Sequence, residues 1–142
     1  MNILQTIFDN AYIGIIRQGG FANEKDGSCV YRAANGNKCA IGHSITDEYY
    51  DDTIEGGAVT DDPVRSALCS SLNCRLTPVD RGDEQSVYAG TTDHKLDLLQ
   101  SVHDDLANHA TPTNIGSVLE DFIVAMHEYA HEHDLTIPEL NQ

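Results

Sequence analysis

Residues 28–56 read SCVYRAANGNKCAIGHSITDEYYDDTIEG, and the turn signal inside them decides what the rest of the chain is built around. Asn35-Gly36 is a preferred dipeptide for a two-residue hairpin turn, because both central positions of that turn need positive φ. With Val30, Tyr31 and Arg32 before it and Lys38, Cys39 and Ala40 after it, the stretch is expected to form a small β-hairpin pairing Arg32 with Cys39 and Tyr31 with Ala40. In that register Cys29 and Cys39 point to opposite faces, which disfavours a disulfide between them. Gly42 is a junction, and residues 46–56, polar, aromatic and glycine-terminated, suit a loop with one helical turn. Arg32 is expected to hold the hairpin against the helices through the Asp47-Glu48 carboxylates.

Outward from this stretch the periodicity is helical. Ile3, Leu4, Ile7, Phe8, Ala11, Tyr12, Ile15 and Ile16 mark one face of a helix stopped by Gly19-Gly20. Asp62-Pro63 opens a second, through Val64, Ala67, Leu68 and Leu72. Thr91 or Thr92 caps a third with Leu96, Leu99, Val102 and Leu106, and Pro112-Thr113 introduces a fourth with Ile115, Val118, Leu119, Phe122, Ile123, Met126, Tyr129 and Ala130. Residues 77–90, punctuated by Pro78, Gly82 and Gly90, read as a flexible loop. The expected fold is mainly α, about four helices with one small β-hairpin, in a single α+β domain spanning 1–142, since 142 residues bury one core and not two.

The chain carries 23 Asp plus Glu against 8 Lys plus Arg, a formal charge of −15, with 40% apolar residues. Direct nucleic-acid binding and adhesion to anionic membranes are therefore disfavoured, because both need basic groups. No apolar run approaches the roughly 20 residues of a membrane span, and the N-terminus has no basic region ahead of its apolar pattern, so neither anchor nor signal peptide is expected. Four cysteines, Cys29, Cys39, Cys69 and Cys74, without an export signal point to free thiols in the cytoplasm.

The pattern Cys29-x-Tyr31-Arg32, Gly36-x-Lys38-Cys39-Ala40-Ile41-Gly42, Ile45, Asp47-Glu48, Tyr50-Asp51 and Glu55-Gly56 resembles a family of small, largely uncharacterised phage and bacterial proteins. The family usually has Gly-Pro where Ala33-Ala34 stands and Pro where Thr46 stands, and the likeness fades after residue 56. It implies a phage-type accessory protein in a bacterial host cytoplasm and brings no catalytic residues with it.

Two constellations carry possible chemistry. His127-Glu128-Tyr129-Ala130-His131 has the spacing of a zinc hydrolase helix, two imidazoles on one face with Glu128 as general base. At about 100° per residue, however, His127 and His131 fall on a shoulder of the apolar stripe. His103, His109 or Glu120 would have to supply a third ligand. Cys39-x3-His43 with Cys29, or Cys69-x4-Cys74, has looser spacing than a structural zinc site wants, and free buried thiols are the commoner use. The expectation is therefore no cofactor, with zinc at His127 and His131 as the alternative.

Charge distribution is the remaining signal. No Lys or Arg lies between Lys38 and Arg65, whereas Asp47, Glu48, Asp51, Asp52, Glu55, Asp61 and Asp62 do, and none follows Lys95. Carboxylates on a rigid surface can imitate phosphates and occupy the basic groove of a nucleic-acid-handling protein. The expected function is that of a non-catalytic, acidic host-protein modulator or inhibitor, a DNA mimic in host takeover or anti-defence, with those seven residues facing the partner. The alternatives are the zinc hydrolase and a module that sequesters a small ligand between hairpin and helices.

Overall fold

The computed structural model describes residues 3–22, 30–33, 35–55, 62–73, 92–111 and 113–139, apart from the side chains of residues 62 and 92–94. Four helices are present among them: α1 (Ile3–Gln18), α2 (Asp62–Leu72), α3 (Thr92–Ala107) and α4 (Ile115–Glu132). No described helix is long and apolar enough to cross a membrane. Cys29, Gly56, Asp61, Cys74 and the expected loop at 77–90 lie outside the described residues.

The helices follow their apolar spacing. α1 buries Leu4, Ile7, Phe8, Ala11, Tyr12 and Ile15, and α4 buries Val118, Phe122, Met126, Tyr129 and Ala130. The two run antiparallel, Phe8 stacking on both Tyr12 and Tyr129 at 6.0 Å between centroids. α3 lies antiparallel to α4, with the Tyr129 hydroxyl donating to the Lys95 carbonyl at 2.6 Å, and contributes Leu96, Leu99, His103 and Ala107 to the interior. Beyond α4, Leu135 and Ile137 return over the core while the Gln5 side-chain amide pairs with both the N–H and the C=O of Thr136.

Among the described residues the expected hairpin is not seen. A single antiparallel bridge joins Arg32 to Lys38, one residue out of the register predicted for a two-residue turn. The cause is a longer loop: Gly36, at φ +94°, donates its N–H to the Ala33 carbonyl, and Ala33 in turn donates to Asn37. The ladder also fails to propagate because side chains take the edge groups. Gln18 accepts from the Lys38 N–H and donates to its carbonyl, both near 2.9 Å, while the Arg32 N–H goes to Glu55. Each bond meets the requirement that a backbone polar group be paired, without a second strand. After the bridge the chain turns tightly through a 3-10 helix (Gly42–Ser44), where a Cβ on Gly42 would strike the Tyr31 carbonyl. This turn sits between α1 and α2, and a second 3-10 turn (Asp52–Ile54) also packs on α2.

Candidate functional site

The sequence motif converges on one carboxylate. Glu55 accepts from the Tyr31 N–H at 2.8 Å, the Arg32 N–H at 3.1 Å and the Tyr50 hydroxyl at 2.7 Å. Burial first, then the hydrogen bond to Glu55 and that group's charge, push the Tyr50 phenol up to about 12. The Arg32 guanidinium lies 4.4 Å over the Tyr50 ring, donates to the Ile45 carbonyl at 2.9 Å and meets Asp47 at 2.7 Å. The expected contact of Arg32 with a carboxylate is thus present, and it belongs to a brace tying residues 31, 32, 45, 50 and 55 together.

The two arms of this brace differ in worth. The Asp47 side chain is 89% exposed, so its pairing with Arg32 is screened by water and contributes under about 1 kcal/mol. Arg32 also has the carbonyl and the ring. Arg32→Ala is therefore expected to cost about 2 kcal/mol and Asp47→Ala less than half of that, read as shifts in a urea midpoint.

Above the brace stands the acidic segment. Thr46 is pinned to α2 by its N–H on Ser71 Oγ at 2.9 Å, and both Tyr49 and Tyr50 donate back to the Thr46 carbonyl. That turn leaves Asp47, Glu48, Tyr49, Asp51 and Asp52 exposed, with Tyr49 at 42% an uncommonly open aromatic. Asp51 accepts from the Thr53 N–H at 2.9 Å, which holds its carboxyl below the usual range and keeps it charged. Of the seven predicted partner-facing residues, Asp47, Glu48, Asp51 and Asp52 share this crest, whereas both Glu55 oxygens are taken by internal donors. Asp61 and the Asp62 side chain lie outside the described residues.

The cysteine–histidine pair is electrostatically the reverse of an activated nucleophile. Cys39 is fully buried, accepts from the Gly42 N–H at 3.2 Å, and has its thiol pushed up to about 12 by desolvation. Burial, with Lys38 and His103 nearby, lowers His43 to about 4. A protonated thiol lacks the thiolate that nucleophilic or metal-binding cysteine requires, and a neutral His43 brings no positive charge to favour one. Cys69 is a half-buried free thiol on α2.

His127, Glu128 and His131 are exposed on α4, and His127 Nε2 lies 3.4 Å from the Tyr12 hydroxyl. Among the described residues no three His, Cys, Asp or Glu side chains converge as a metal site. His103, a possible third ligand by sequence, is instead fully buried: its Nε2 accepts from the Ala22 N–H at 3.1 Å and its Nδ1 meets Asp104 at 2.9 Å. Among the described residues no third donor joins His127 and His131, and metal analysis of the purified protein is expected to find zinc well below one ion per chain. One tightly held ion lost in His127→Ala would contradict this.

Sequence reasoning missed Gln100 and gave His103 the wrong role. Gln100 accepts from the Ile41 N–H at 3.1 Å and donates to Asp104 at 3.0 Å, fastening the tight turn to α3. The stripe Leu96, Leu99, His103 carries the signal for His103, since it continues the helical spacing into the core. Compared with family models, with curated proteins and with solved structures, the chain matches none.

Proposed function

We propose that the protein is an acidic accessory protein of phage type that binds a basic surface of a bacterial host protein in the cytoplasm and blocks it, imitating the phosphates of a nucleic acid. The observation that carries this reading is the crest of Asp47, Glu48, Asp51 and Asp52 around the open Tyr49, held on a turn braced from below by Glu55 and Arg32. Carboxylates carried on a braced turn lose little backbone freedom on binding, and an exposed tyrosine supplies the buried anchor that charge alone does not. The sequence resemblance to small phage proteins and the absence of Lys and Arg between Lys38 and Arg65 support the same reading.

The test is capture from a bacterial extract on immobilised protein at low salt, followed by washing with duplex DNA. A discrete basic protein released by DNA is the expected result. Retention of a protein that excess DNA leaves bound would contradict phosphate imitation.

A further inference from the structure

The tight turn at residues 42–44 holds a histidine in a place made for an uncharged ring. His43 packs against α1 so closely that a Cβ on Gly14 would overlap its ring, and its Nε2 is buried with no hydrogen-bond partner among the described residues. The groups that face it are Lys38 from the bridge arm, His103 from α3 and the uncharged Gly14 from α1. A proton on His43 would add a positive charge near Lys38 and a buried N–H without an acceptor.

His103 closes the other side. Its completely buried ring has Phe21 at its edge, 5.4 Å between centroids, and accepts the Ala22 N–H on Nε2, so a second ring proton would face that N–H head-on. Asp104 is the acid next to it and shares its Oδ1 with Gln100, while the Cys39 thiol beside this layer stays protonated. The histidines of α4 are placed differently. His127 and His131 are exposed, and His133 follows the C-terminus of α4 with its ring 4.2 Å from that of Tyr129.

We propose that His43 is an acid-operated release: its protonation detaches residues 38–46 from α1, α2 and α3 while the antiparallel α1–α4 pair stays folded. The released segment leads directly into the crest, but the release itself does not depend on what the crest binds.

The sign follows from linkage. Neutral His43 is favoured in the closed form, so closure is fully stable above pH 6.5 and weakens as pH falls from 6.5 towards about 4. Between pH 7.5 and 5 this one group raises the open-to-closed ratio about 30-fold.

Hydrogen exchange of the whole protein, read by peptide at pH 7.5 and 5.0 and corrected for the intrinsic exchange rate, tests the proposal. Protection of residues 38–46 should fall about 30-fold at pH 5.0 while that of residues 118–130 holds. Unchanged protection at 38–46, or an equal loss in both segments, overturns it. His43→Phe should keep the pH 7.5 protection and lose the response; a variant that responds like wild type also overturns it. Should that variant not fold, the His43 ring titration in wild type decides, since a folded-state midpoint at or above 6.5 contradicts the proposal.

Discussion

Glu55→Ala is expected to destabilise the protein by about 3 kcal/mol, seen as a fall of roughly 10 °C in the thermal midpoint. The substitution leaves the Tyr31 and Arg32 N–H groups and the Tyr50 hydroxyl without their common acceptor. Tyr31 is buried, so its N–H cannot simply turn to water, and losing one partner of a charged, partly buried hydrogen-bond set costs more than the set contributes. Glu55→Gln should be nearly as damaging, because its amide nitrogen would face a donor whichever way it is turned. Tyr50→Phe removes a single donor and should cost about 1 kcal/mol. Glu48→Gln, on the exposed crest, should melt within about 0.5 kcal/mol of wild type. If Glu55→Ala melts like Glu48→Gln, the brace is not what holds the crest.

The second large effect concerns association. Glu48→Gln, Asp51→Asn and Asp52→Asn together should slow binding to the captured partner about tenfold at low salt, because long-range attraction sets the encounter rate of oppositely charged surfaces. Asn is itself a good capping residue, so the Asp51 bond to the Thr53 N–H survives the change and the fold with it. The difference between variant and wild type should vanish at 1 M salt, where the Debye length falls to about 3 Å. Glu128→Gln with Glu132→Gln, on the exposed face of α4, is the control for the other acidic surface. Stopped-flow rates at several salt concentrations check both. If neither variant is slower than wild type at low salt, the acidic composition serves solubility alone.

The helices were readable because each writes its buried face at a fixed spacing. Ile7, Phe8, Ala11 and Ile15 in α1, and Val118, Phe122, Met126 and Ala130 in α4, need no knowledge of the partner that covers them. The stretch between α1 and α2 was only partly readable. Asn35-Gly36 signals a reversal correctly, yet the loop takes one residue more than the dipeptide suggests, and that one residue shifts the register. What replaces the hairpin is side-chain capping from residues about 20 positions away, Gln18 on Lys38 and Glu55 on Arg32, and such pairings leave no periodic trace.

The same physics explains the two misjudged side chains. Glu55 resembles its acidic neighbours in sequence and differs only in having three donors aimed at it. His103 is a polar residue on an apolar stripe, and its burial becomes intelligible only with the Ala22 N–H and Asp104 in place to satisfy both ring nitrogens. A local pattern predicts which face of a helix is buried. It does not predict which polar groups are answered there.

The most direct measurement uses the captured partner with a fluorescent DNA duplex bound to it, followed by anisotropy as the protein is added. Wild type is expected to release the duplex with one chain per binding site, and the Glu48→Gln, Asp51→Asn, Asp52→Asn variant to release it only at much higher concentration. Anisotropy that stays high, or rises as protein and duplex bind the partner together, would contradict the claim that the crest occupies a nucleic-acid groove.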